Sequence, residues 1–368
     1  MSETITTAIT TQLDGLIDPY TGQKMTYGRA LKSVKVDDEK VFVMLRKGYP
    51  IKSVAGELSE LIKKTLQDLP FENRDLEVVL EQDIIAHSVQ QGVKAVDGVK
   101  NIIAIASGKG GVGKSTVSAN LSLALVAAGA SVAVLDADIY GPSQPRMLGA
   151  KGQPETLDNK MFLPMQSHGV KIMSMGFMVD EDTPMIWRGP MVTQALEQML
   201  RGTLWNQDAQ EVDYMIVDLP PGTGDIQLTL SQKVPVTGAV IVTTPQDIAL
   251  LDARKAYNMF AKVDVPIFGV IENMSTHVCS QCGHEEAIFG SDGAQKMADD
   301  FAIDFLGSIP LELGVRKHAD SGTPTVVVEP ESATAIRFRD IALKIVGQLS
   351  VRKQDFASKF PNIVVENS

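Results

Sequence analysis

The sequence predicts an α/β protein, a mostly parallel, doubly wound sheet preceded by a small α+β domain. Three observations carry that expectation. From Asn101 onward, apolar β-branched runs alternate with helical segments, as in parallel strands covered on both faces. A glycine-rich stretch joins the first of these runs to the first of these helices. Residues before Gln82 follow a different order of helix and strand.

Composition sets the outer limits. A chain of 368 residues exceeds one average domain, so two are expected. The balance of 45 acidic against 34 basic residues leaves a net charge of −11, which argues against a broad surface for nucleic-acid phosphates. The polar, Thr-rich start, Met1 to Thr11, lacks the basic and apolar parts of a secretory signal. The most apolar stretch, Leu121 to Leu135, is broken by Ser122, Gly129 and Ser131 and falls short of a membrane span. Two cysteines make no disulfide framework, so a cytoplasmic protein is expected.

In chain order, Thr6 to Ile17 reads as a helix stopped by Asp18-Pro19. Ala30 to Val36 and Lys40 to Leu45 read as strands around the turn Asp37-Asp38-Glu39. Val54, Leu58, Leu61, Ile62 and Leu66 have helical spacing, and Leu76 to Leu80 is a third strand, with Pro70 and Asn73 as punctuation between them. This first domain, residues 1–85, contains no cysteine, and the nearest histidine, His87, lies beyond it, so a docking or assembly module is expected. Residues 86–100, with Gln90-Gln91-Gly92 and Asp97-Gly98, read as a mobile or turning linker. The second domain, 101–350, has strands at Asn101 to Ala106, Ser131 to Asp138, Asp213 to Leu219, Gly238 to Thr244, Val265 to Glu272 and Phe305 to Ile309. Helices are expected at Val117 to Ala128 and Ile248 to Lys262, and residues 351–368 form a tail.

Gly108-Lys109-Gly110-Gly111-Val112-Gly113-Lys114-Ser115-Thr116 sits between a strand and a helix, the context that makes it a phosphate cradle. Backbone N–H groups and a helix N-terminus face the anion, Lys114 reaches the β/γ-phosphates, and the Ser115 hydroxyl suits Mg²⁺. Asp218 ends a strand and leads into Leu219-Pro220-Pro221-Gly222, placing a carboxylate where a magnesium ion needs one and a Gly222 amide near a γ-phosphate. At the end of another strand, Asp138 is expected to orient the attacking water, with Asp136 nearer the metal. Lys109 either reaches a nucleotide on a partner subunit or is a solvated loop lysine.

Cys279 and Cys282 stand in Cys-Ser-Gln-Cys-Gly-His, a turn that brings two thiolates onto one atom. Clusters and structural zinc usually need four ligands. Three readings stay open: four thiolates shared across a symmetric dimer, an intrachain zinc site completed by His277 and His284, or redox-active or inert thiols. Met173-Ser174-Met175-Gly176-Phe177-Met178 reads as core packing. Trp187-Arg188-Gly189-Pro190 has the character of an interface.

Taken together, these segments resemble a known family. Lys109 to Thr116 is similar to the deviant Walker A of MinD/ParA-like ATPases, whose extra lysine acts across a nucleotide-sandwich dimer. Leu135 to Ser143, Ile186 to Met191, Asp218 to Asp225, and Glu272-Asn273-Met274-Ser275 leading to Cys279 and Cys282 resemble the Mrp-type iron–sulfur cluster carriers. The likeness spans about Val93 to Leu349, and residues before Gln82 resemble a small domain of iron–sulfur assembly proteins. That domain often carries a reactive cysteine, which this chain lacks. The resemblance implies a P-loop ATPase that holds a labile 4Fe–4S cluster between the subunits of a homodimer. It would pass the cluster to apo iron–sulfur proteins, alongside cluster-assembly factors, with no nucleic-acid or membrane partner. Gly108 to Thr116 would bind ATP, Asp138 and Asp218 would serve hydrolysis and Mg²⁺, Cys279 and Cys282 would ligate the cluster, and Asn273 would read the adenine. The competing reading is a ParA- or MinD-like spatial organiser. Its membrane-binding form calls for a basic amphipathic terminal helix, whereas Ser350 to Ser368 mixes acids, bases and Pro361.

Overall fold

The computed structural model describes residues 2–71, 74–90, 93–157, 160–178, 189–207, 209–279 and 281–352. The chain opens with helix α1 (Ser2–Gly15), four residues earlier than its pattern suggests, with Ile9 and Leu13 fully buried. Strands β1 (Leu31–Val36) and β2 (Lys40–Lys47) pair antiparallel, and the Asp37 carboxylate between them accepts the N–H groups of Glu39 and Lys40. Along β2, Val41, Val43 and Leu45 alternate into the core, as the two-residue period of a strand requires. Helix α2 (Ala55–Leu66) crosses over to β3 (Asp75–Gln82), which lies parallel to β2.

The segment after β3 is not a free linker. His87 is buried, and the Asn101 side chain accepts its backbone N–H and donates to Ile85 O. These bonds tie the connection to the first strand of the larger sheet.

That strand is β4 (Val99–Ala106), followed by α3 (Lys114–Ala127), β5 (Val132–Asp136) and the single-turn α4 (Gln144–Met147). A two-residue pair, β6 (Thr156–Leu157) and β7 (Met161–Phe162), precedes β8 (Met165–Ser167), β9 (Val170–Ser174) and α5 (Gly189–Arg201). Then come β10 (Val212–Asp218), α6 (Asp225–Lys233), β11 (Gly238–Thr243), α7 (Asp247–Lys262) and the long β12 (Ile267–Val278). The chain continues through β13 (Glu285–Glu286), α8 (Gly293–Phe301), β14 (Phe305–Leu311), α9 (Leu313–Asp320), α10 (Thr325–Val328) and α11 (Ala333–Ser350).

The sheet order is β13-β12-β11-β4-β10-β5-β9-β8, with β14 also paired to β12. Only β8 and β13 run antiparallel to their neighbours. Continuous apolar strands are explained by two cores: Ile103 and Ile105 of β4 face the core under α3 and α11, while Ile102, Ala104 and Ala106 face the core under α5. Met173 and Met175 are buried in the second of these, as core packing predicts. Trp187-Arg188 lies outside the described residues, as does the tail from residue 353. Among the described residues no helix is long and apolar enough to cross a membrane.

The N-terminal sheet packs against the large one. Tyr20, Tyr49, Val54 and Leu58 share a core with α3 and α11, Lys52 donates its N–H to Ala128 O, and Arg339 of α11 pairs with Glu57 at 2.9 Å. Gly347 marks the closest approach, since a Cβ there would stand 2.4 Å from the carbonyl oxygen of Tyr20. Gly347→Ala is therefore expected to cost about 1–3 kcal/mol by overpacking. Denaturant unfolding checks this, and unchanged stability would mean that the seam is not tightly packed.

Candidate functional site

The glycine loop leaves the carboxyl end of β4 and enters α3 at Lys114, so its N–H groups and the helix N-terminus face one concavity. This cavity, about 280 Å³, is lined by the loop together with Asp138, Ser143, Met147 and Pro221. Gly113 caps α3 with φ +80, and a Cβ there would lie 2.2 Å from the Asn273 amide nitrogen. Only glycine fits that approach. Asn273 itself is buried on β12 and donates to Val112 O at 2.8 Å. Asn273 thus holds the loop from behind.

Behind the loop is a closed polar cluster. The Lys114 ammonium lies 2.5 Å from Asp218 Oδ1 and 3.5 Å from Ser115 Oγ, and both members of the ion pair are buried. Asp218 Oδ1 also accepts the Ser118 hydroxyl at 3.0 Å, and Oδ2 accepts the Gln144 amide at 2.8 Å. The same Gln144 nitrogen donates to Ser115 O at 3.0 Å, tying α4, α3 and β10 together. Gln144 and Ser118 were not singled out by sequence, because neither lies in a motif. Their partner sits far away in the chain.

The acids at the neighbouring strand ends differ. Asp136 stands beside Asp218 in the β5–β10 register, and neither carboxylate lines the cavity itself. Its carboxylate accepts the N–H groups of Asp138, Ser143 and Gln144 and the Ser174 hydroxyl. Burial first, and Asp218 second, push it up to about 7 against those donors. With these four donors, Asp136 anchors the chain after β5. Asp138 faces the cavity, where burial raises its carboxyl above the ordinary range. The Gly222 N–H, expected to face phosphate, instead donates to Ser107 O at 3.1 Å. Lys109 lines the cavity and makes no ion pair among the described residues.

β12 connects this cradle to the cysteines. Directly after Asn273, Met274 takes φ +56, and the pairing with β14 shifts register between Asn273 and His277. Such a bulge re-aims a strand. Six residues on from Asn273, within about 20 Å at strand rise, the chain turns at Cys279. Cys279 N–H donates to His284 O and Gly283 N–H to Cys279 O, both at 2.9 Å, with Gly283 at φ +71. The Cys279 thiol is held below its ordinary value by the N–H groups of Gln281 and Cys282, and then by the Cys282 thiol. This turn is ready to hold thiolate.

The intrachain zinc site is not formed. The His277 ring nitrogen faces Leu311 O at 3.3 Å, and among the described residues no three His, Cys, Asp or Glu side chains converge.

A glycine cradle between a parallel strand and a helix, with an acidic strand end behind its lysine, defines a P-loop nucleotide-binding protein. Comparison with known proteins narrows this. Residues 98–346 match the family model described as ParA, NUBPL iron-transfer P-loop NTPase, and residues 6–78 match the family described as iron–sulfur cluster assembly protein. The chain belongs to the NUBPL iron-transfer P-loop NTPase family. It is 54% identical over 262 residues to a protein of Pseudomonas fragi named iron–sulfur cluster carrier protein, covering 71% of this chain and 90% of that one. It is 49% identical over 258 residues to the mouse iron–sulfur cluster transfer protein NUBPL, covering 70% of this chain and 80% of that one. A nucleotide-binding protein from Archaeoglobus fulgidus, solved in complex with ADP, superposes with a TM-score of 0.55 at 35% identity, over 64% of this chain and 90% of the other.

The hydrogen bonds at Cys279 predict that its alkylation in metal-free protein has a pH midpoint below the ~8.5 of an unperturbed thiol, and that Cys282→Ala moves this midpoint upward. Iodoacetamide labelling followed by mass spectrometry measures it. A midpoint at or above about 8.5 would contradict the geometry.

Proposed function

We propose that this protein is an ATP-driven carrier that holds a labile 4Fe–4S cluster between two copies of itself and passes it to apo iron–sulfur proteins. The observation that carries the reading is the Cys279–Cys282 turn. It presents the only two cysteines of the chain, with no third ligand among the described residues, at the end of the strand that also braces the cradle. Two thiolates are half of what such a cluster takes. A second copy supplies the other half.

The cradle supports nucleotide binding at Gly108 to Thr116. A γ-phosphate competes with Asp218 for the Lys114 ammonium, so binding draws Lys114 out of its buried pair. Ser115 and Asp218, a hydroxyl and a carboxylate close together, form an oxygen donor set that fits Mg²⁺. When bound there, magnesium offsets charge on the β- and γ-oxygens. Asp138 faces the cavity with a raised pKa and orients the attacking water. Lys109 lines the cavity without an ion pair among the described residues and, in this reading, reaches the partner copy's nucleotide.

Coupling follows from shared backbone. A change in the loop at Val112 reaches Asn273 directly and passes along β12, through the bulge at Met274, to the cysteine turn. Residues 1–85 form the docking module of this carrier, 86–100 its connection and 101–350 its ATPase.

Anaerobic reconstitution with iron and sulfide tests the reading. Wild type is expected to take up a cluster and Cys279→Ala to take up none. Lys114→Gln keeps a hydrogen-bond donor toward Asp218 and should load normally, yet lose hydrolysis by roughly 10²-fold or more and fail to deliver to an apo acceptor. Absence of iron in wild type overturns the carrier reading, and undiminished delivery by Lys114→Gln removes ATP from it.

A further inference from the structure

A cavity of about 620 Å³ opens where the N-terminal sheet meets the end of α11, and its charge runs against that of the whole chain. Six cations line it against two carboxylates, in a protein of net charge −11. Both carboxylates are already committed. Asp18, buried, holds Lys47 at 2.8 Å and accepts the Tyr49 hydroxyl at 2.8 Å. Asp83 lies 3.6 Å from Arg46, which also reaches Glu81 at 3.3 Å.

Lys24, Arg29, Lys32 and Arg352 are left over, without an ion pair among the described residues. Arg352 has one other duty. Its guanidinium lies 4.9 Å from the centre of the Phe268 ring. The remaining three have none. Arg29 moreover holds φ +62, a left-handed conformation that side chains rarely adopt and that persists where the surroundings over-determine it.

Like charges gathered in a concavity repel one another and focus a field that concentrates counter-ions. A ligand carrying several negative charges relieves that repulsion. The volume, about 620 Å³, falls in the range of small-molecule sites. We propose that this cavity binds a small polyanion, a phosphate ester or a polycarboxylate, at a site separate from the nucleotide cradle. Such a ligand touches Lys24, Arg29 and Lys32 on one side and Arg352 on the other, and so fastens the N-terminal sheet to α11. Occupancy would then report a metabolite to the seam that Tyr20 and Gly347 close.

Isothermal titration calorimetry of the full-length protein, with ADP saturating the cradle and magnesium left out, tests this with pyrophosphate and citrate as probes. Saturable binding of one equivalent of either probe is expected, weakening as salt is raised. Pyrophosphate alone would mark a phosphate-ester site and citrate alone a polycarboxylate site. Lys24→Ala/Lys32→Ala alters only exposed side chains; it should leave ADP affinity unchanged and weaken the probe at least about tenfold. The proposal is overturned if neither probe saturates or if the double variant binds as wild type does.

Discussion

The buried ion pair of Lys114 and Asp218 is the constraint on which the rest of the site depends. Taking two charges out of water is costly unless every remaining donor and acceptor finds a partner. Here Ser118 and Gln144 supply the partners, and each comes from a different helix. The need to satisfy Asp218 therefore fixes α3, α4 and β10 relative to one another. In the proposed carrier, a phosphate group that takes Lys114 shifts this balance, so the pair would sense the nucleotide. Asp136, next door on the sheet, does the quieter work of pinning the chain after β5 with its four donors.

The second constraint is the continuity of β12. One strand carries Asn273 against the loop and Cys279 at its far end, with a left-handed residue, Met274, between them. A strand pinned at the cradle moves its end when the cradle moves. The cysteine turn adds its own preorganisation, because the N–H groups directed at Cys279 sulfur favour the thiolate that a metal cluster needs. In the proposed carrier, nucleotide and cluster share this strand while occupying different places.

Much of this was legible in the chain itself. Strands buried on both faces leave continuous apolar runs, so the parallel sheet could be read from Asn101 to Ala106 and its counterparts. The cradle was legible because phosphate chemistry dictates glycine, lysine and hydroxyl at fixed spacing. Gln144 was not, since its meaning lies in a hydrogen bond to a residue 74 positions away. Asn273 was legible as a residue of interest, but its contact with Val112 depends on how β12 passes under the loop. The attachment of the connection at His87 was not legible for the same reason: Asn101 holds it through side-chain bonds that local composition does not reveal. The strand β9, which lies between β5 and β8, and the long helix α11 were also missed, because neither is bounded by a motif.

The central claim is that two half-sites from two chains make one cluster site. Native mass spectrometry of anaerobically reconstituted protein measures this directly. A dimer carrying roughly four iron atoms per two chains is expected, with iron-free monomers for Cys279→Ala. A cluster or a zinc ion held by a single chain would contradict it.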